Sequence, residues 1–456
     1  MKVTLIGQDI PALLPSLLAD LFFSERVPAQ VAVEERNPAM QDVLQRYADA
    51  VLRQAGIGGE VRVDGDRRAL LTGAGCVVYA GDCLASSSFR QDWRALSGPE
   101  DDPDDPGLTD QCRVNGGIEG LLHTLRQGGA VLDLCDAMRD ACPGALVITL
   151  GQPVGRTAWL FEKRGFRTYG LGPSPLKGAV GLESLCHRLG KQVGDVRAQV
   201  AGLPGFAWLL GLRDVASDTD LLSVVRDMAA SESLGRLAKR WLGWYEAVPV
   251  GDVTAHAELM PAQADYAPQA EPELSESVEK RKERILHMNT VGDKGLRRPD
   301  AAEGFTEGEM AQWLLLSKAP AVRPMRLAAA VLRGQDLEMA GVTRVNRGEI
   351  VNLPRNAVIE SDLTLRGGVE VPHGYRLPAP LAQCCMDIDE AARLAAQAAT
   401  GDRTALRECV EIDPAMEGLD RLYCQQVVEA LIRLNGDVLG RLVDDDEDED
   451  DWNGDD

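Results

Sequence analysis

No two cysteines in this chain stand in a Cys-x-x-Cys spacing, and positive charge does not predominate: 48 Lys and Arg face 71 Asp and Glu, a net charge of -23. No apolar stretch approaches the roughly twenty residues that span a bilayer, which excludes a membrane helix. The acidic balance makes sequence-independent binding to nucleic-acid phosphate unfavourable. The ten cysteines are Cys76, Cys83, Cys112, Cys135, Cys142, Cys186, Cys384, Cys385, Cys409 and Cys424. Several lie in apolar runs such as Gly75-Cys76-Val77-Val78, where a free thiol behaves as a small hydrophobe. A disulfide framework is not expected, and a reducing, cytoplasmic compartment is. The start, Met1-Lys2-Val3-Thr4-Leu5-Ile6-Gly7, reads as a first strand and not as a signal peptide.

At 456 residues, with 45% apolar and 26% charged side chains, the chain has the make-up of a globular protein of two closely packed domains. Ten acidic side chains fall in 444–456, leaving about -13 for the remainder. Such a run repels itself and reads as a solvated, disordered tail. The first part alternates strands with helical patterns. Strands are expected at Val3–Ile6, Val31–Val33, Val61–Val63, Cys76–Ala80 and Ala145–Leu150. Helices are expected at Ala12–Phe23, Met40–Gln54, Asp66–Leu70 and Gly117–Cys142. This is the pattern of a doubly wound parallel sheet. Residues 99–107 are a surface loop by their prolines and acids. The polar segment 262–277 is expected to be mobile, while Ala391–Ala399 and Arg421–Leu434 read as amphipathic helices.

A dinucleotide turn needs glycine where backbone meets the pyrophosphate, with helix N–H groups aimed at it. Here the first strand ends in Gly7-Gln8-Asp9-Ile10-Pro11. Asp9 adds a Cβ and a negative charge at that point, and before Pro11 it reads as a helix N-cap. Glu34 or Glu35, ending the second strand, is the candidate to accept from a ribose hydroxyl. Five further frames follow in order: Asp66–Gly75, Asn115–Thr124, Ile148–Pro153, Gly170–Pro173 with Gly202–Trp208, and Asn346–Pro354 (Asn-Arg-Gly-Glu-Ile-Val-Asn-Leu-Pro).

Together these frames resemble glycoside hydrolase family 4, over nearly the whole chain apart from the tail. The resemblance implies an α/β protein with a Rossmann-like NAD-type domain over 1–170, a C-terminal α+β domain of lactate/malate dehydrogenase type over 171–443, and the acidic tail at 444–456. It implies a homo-oligomer and a sugar or sugar-derived ligand. It also implies NAD and manganese as cofactors, because family enzymes oxidise the sugar at C3 and eliminate the aglycone, with the cation polarising the carbonyl.

The chain departs from the family where that chemistry resides. The metal-ligand positions are Gly172 and Gly205, and glycine has no side-chain donor. Gln152 replaces an asparagine of the sugar and metal region, and His123 replaces an arginine; both are taken as substrate-side candidates. Tyr245, Asp252 and His256 are the remaining candidates for proton chemistry. In the pair Cys186-His187, adjacent helical residues point about 100° apart and do not share a metal, so Cys186 is expected in the core and His187 at the surface. With Asp9, Gln152, Gly172 and Gly205 substituted together, the reading is a non-catalytic sugar-related binding or regulatory homologue. The alternative is an active glycosidase working by NAD-assisted oxidation and elimination through a site remodelled around His123, Tyr245, Asp252 and His256.

Overall fold

The computed structural model describes residues 1–81, 86–97, 108, 111–172, 175–264, 278–296, 322–439 and 442. The loop expected at 99–107, the tail at 444–456 and most of 262–277 lie outside them; residues 261–264 form a short helical turn.

Six strands build the first half: β1 (Lys2–Ile6), β2 (Ala29–Glu34), β3 (Gly59–Asp64), β4 (Cys76–Tyr79), β5 (Leu146–Thr149) and β6 (Thr168–Leu171). They pair in parallel in the order β3-β2-β1-β4-β5-β6, the doubly wound arrangement that leaves a crevice where the order reverses beside β1. β1, β4, β5 and β6 are almost wholly buried, as expected of strands covered by helices on both faces. Helix Pro38–Ala55 starts where Asn37 accepts from the Ala39 amide at 3.0 Å and stops at left-handed Gly56. The helix expected from Ala12 runs over Ile10–Leu18 and continues as a π-helical turn over Ala19–Ser24.

The second half extends the same sheet. β7 (Val196–Leu203), β8 (Phe206–Asp214), β9 (Val248–Pro249), β10 (Leu337–Val345), β11 (Val358–Arg366) and β12 (Val369–Glu370) are antiparallel. β10 joins the halves by pairing antiparallel with β6, Thr343 opposite Gly170. The sheet then runs β10-β11-β7-β8-β9, with β12 on β11. The boundary expected at 170/171 therefore falls inside β6, and no gap in the sheet marks it.

A buried carboxylate adds a second tie. Asp20 accepts from Arg323 Nε at 2.9 Å and from the Met325 and Arg326 amides at 2.9 and 3.1 Å, fixing the start of helix Pro324–Arg333 against the N-terminal half. Helix Gly117–Ala141 is buried on nearly every side in its first three turns, between the sheet and the C-terminal helices. Those are Ala379–Ala398, Arg403–Ile412 and Arg421–Leu434. The described cysteines are free and buried, Cys186 among them, while His187 is exposed. No helix of the described residues is long and apolar enough to cross a membrane.

Candidate functional site

A cleft of about 1170 Å³, measured out to its open mouth, lies where the halves meet. Four separated segments carry residues expected there, and the fold brings them together: Gln152 after β5, Gly172 after β6, Gly205 between β7 and β8, and Asp252 before helix Val253–Leu259. Pro204-Gly205 is the pair a type II turn requires, and Gly205 has φ +76° with Leu203 opposite Phe206 across the hairpin. Gly172 differs, since its φ is ordinary and a Cβ added there would meet nothing within 4 Å. Asp252 is exposed and caps its helix by accepting from the Thr254 amide at 2.9 Å.

The cleft also holds carboxyls that the sequence reading passed over. Glu360, on β11, is buried and leaves Oε2 without a hydrogen-bond partner. Burial pushes its carboxyl well above the ordinary range, and the Gly205 amide only partly opposes this. Asp389, on helix Ala379–Ala398, accepts from the Val358 amide at 2.9 Å and from Arg393 Nε at 3.3 Å; burial raises it to about 6. Behind the wall, half-buried Glu258 accepts from Asn115 Nδ2 at 2.7 Å. A charged residue facing inward from an otherwise apolar helix stripe, as Asp389 does beside Cys385 and Ile388, is the signal that could have found this group.

The other candidates lie elsewhere. His256 faces away from the cleft, into Phe206, Trp208 and Trp241, with ring centroids 5.1–5.6 Å apart. Its nitrogens reach the Ala207 and Asp252 carbonyls at 2.9 and 3.2 Å, and burial lowers its pKa despite them. Tyr245 donates to Gln263 Oε1 at 2.5 Å inside the same aromatic cluster, and burial pushes its hydroxyl up. His123 is buried 3.3 Å from both Glu119 and Arg126, in a network with Asp92 and Asn435. Burial raises Glu119 there to about 8. None of the three lines the cleft.

A second crevice, at the β1 reversal point, is lined by Gly7, Gln8, Glu34, Arg36 and Arg67 among others. Gly7 has φ +131°, and a Cβ there would stand 2.1 Å from the Ala80 carbonyl oxygen, so only glycine lets the strand ends approach. Asp9 sits at the N-cap position, but its carboxylate makes no cap hydrogen bond, which corrects the sequence expectation. Its N–H donates to Ala80 O at 3.0 Å, the Ile10 N–H to Gly7 O at 3.2 Å, and Pro11 has none. Glu34 accepts from Arg67 Nε and Nη2 at 2.9 and 3.1 Å, so this candidate ribose acceptor is already bound in a fork.

Neither implied cofactor fits these residues. The turn has two amides engaged, a third absent and a carboxylate added, where a pyrophosphate needs free donors. Among the described residues no group of three or more His, Cys, Asp or Glu is placed to hold a metal ion.

A dinucleotide-type α/β half, continued through one sheet into an antiparallel half with a cleft at the junction, defines a protein built on an NAD-type fold. The chain belongs to family 4 of the glycosyl hydrolases: that family's profile matches residues 2–172, and the profile of its C-terminal domain matches 200–416. It is similar to an alpha-galactosidase of Rhizobium meliloti (strain 1021), 24% identical over 434 residues, covering 91% of this chain and 84% of that protein. An alpha-glucosidase of Erwinia rhapontici is 27% identical over 167 residues, 36% of this chain and 35% of that protein, so this match spans about a third of each. Among solved structures, the fold is shared with a 6-phospho-alpha-glucosidase from gut microorganisms in complex with NAD and Mn2+ (TM-score 0.75, 13% identity, 96% of this chain and 98% of that one). It is shared too with a 6-phospho-beta glucosidase from Thermotoga maritima with manganese, NAD+ and glucose-6-phosphate (TM-score 0.73, 15% identity, 96% and 99%).

Proposed function

We propose that this family 4 protein of carbohydrate metabolism is a non-catalytic binding or regulatory homologue that takes a sugar or sugar-derived molecule into the junction cleft. One observation carries the reading: both positions from which the family's ligand side chains would project into the cleft are glycines that line it, Gly172 and Gly205. The oxidation and elimination route needs a cation to polarise a carbonyl, a contribution of several kcal/mol, and each ~1.4 kcal/mol is tenfold in rate. The engaged amides beside Gly7 and the Arg67–Glu34 fork support the same reading for the dinucleotide. Buried free thiols support a reducing, cytoplasmic setting, and the homo-oligomer expected from the family belongs to the proposal.

The test is turnover of nitrophenyl α- and β-glucosides, galactosides and their 6-phosphates with NAD, manganese and a reductant. The expected outcome is no release above the uncatalysed rate. Manganese-dependent release that disappears on adding a chelator would establish an active glycosidase instead.

A further inference from the structure

Glu360 carries a buried polar atom that the fold does not satisfy. The residue is 2% exposed and lines the cleft beside the Gly205 backbone. Oε2 has no partner, and no ion pair to Glu360 exists among the described residues. Buried side-chain oxygens in folded proteins are nearly always paired, so an unpaired one lining a cleft marks where a bound group completes the bond. The surroundings leave room for it. Among the described residues, chain neighbours apart, no atom lies within 4 Å of the place a Cβ on Gly172 would occupy, and the nearest to one on Gly205 is Ala255 Cβ at 3.5 Å. Leu203, Val358 and Ile388 supply apolar wall around the same space.

We propose that Glu360 is the residue by which the cleft selects its ligand, pairing Oε2 with an uncharged hydroxyl of a sugar ring. The inference rests on the sugar-binding reading above. Burial without a cation favours the protonated form of this carboxyl, which offers one O–H donor as well as acceptor oxygens. A hydroxyl answers both roles. A phosphate or carboxylate at the same point would face a buried acid that has no ion-pair partner among the described residues. An ammonium would have to strip the proton and leave a buried ion pair to form.

The experiment uses the full chain and its variants Glu360→Gln and Glu360→Leu, with glucose, galactose, glucosamine and glucose-6-phosphate as probes in thermal-shift titrations. Circular dichroism confirms that each variant is folded. Glutamine keeps a neutral donor and acceptor at the same reach; leucine removes both. The expected result is that glucose or galactose raises the melting temperature of the wild type and of Glu360→Gln. In Glu360→Leu its affinity should fall roughly tenfold, the worth of one hydrogen bond. Equal affinity in Glu360→Leu would overturn the role of Glu360 and leave the sugar-binding reading standing. A shift with glucosamine alone, lost in Glu360→Gln, would overturn the neutral-hydroxyl assignment in favour of a cationic ligand. If no sugar shifts the wild type, the sugar-binding reading itself fails.

Discussion

Gly205 and Glu360 line the same cleft, the Gly205 backbone beside the buried acid, so a position where the family resemblance implies a metal-holding side chain here contributes only backbone. The hairpin turn and β11 meet here. The cleft here is walled by backbone and buried acids, and among the described residues no cluster of metal donors stands there.

Stability against pH should report this acid. Its folded pKa is raised above the ordinary 4.5, so the unfolded chain releases its proton first and native stability falls as pH rises above that value. Glu360→Gln removes the effect. Its melting temperature should match the wild type near pH 4 and exceed it increasingly towards pH 8, at up to ~1.4 kcal/mol per pH unit. A constant difference across this range would show that the carboxyl ionises normally.

His256 should act with the opposite sign. Burial lowers its folded pKa below 6.5, so the unfolded chain binds a proton that the native state refuses, and stability is lost as pH falls below about 6.5. Replacing it with glutamine should flatten the acid limb of the stability profile. The substitution to alanine should cost about 3 kcal/mol by opening a cavity among Phe206, Trp208 and Trp241. Denaturant unfolding at pH 5 and pH 8 measures both.

The two cleft glycines should respond differently to the side chains they lack. Gly172→Cys should leave stability within about 0.5 kcal/mol, since the site is open and the backbone ordinary. Gly205→His should cost about 1–2 kcal/mol, because φ +76° strains any residue with a Cβ. Urea unfolding of the two single variants separates them.

Much of the first half was legible because its strands are short apolar runs buried on both faces and its helices carry caps. Helix Met40–Gln54 was found to within two residues of the observed Pro38–Ala55, and Arg421–Leu434 was read with its observed limits. The antiparallel strands were not read. β7 mixes exposed and half-buried positions before its buried end, and β10 is interrupted by an irregularity between Met339 and Val342. At the site, glycine positions were legible because a missing side chain is visible in a motif. The direction of a side chain is not. Asp252 and His256 lie four residues apart, yet Asp252 is a cap at the cleft while His256 is one turn into the helix and faces the core.

The Arg67–Glu34 fork should be a structural pair and no gate to the dinucleotide crevice. Arg67→Ala should destabilise the fold by about 1–3 kcal/mol, leaving a largely buried carboxylate with only the looser 3.6 Å pairing to exposed Arg36. The variant should still show no melting shift with NAD, because the turn at Asp9 and Pro11 is unchanged.

The most direct test of the central claim is a titration of the wild-type protein with manganese, alone and with NAD, followed by thermal unfolding. A ligand held a hundredfold above its dissociation constant contributes about 2.7 kcal/mol to the native state, a readily measured rise. The account predicts no saturable shift with either. A saturable rise with manganese would show that side chains at this cleft hold the cation after all, and would contradict it.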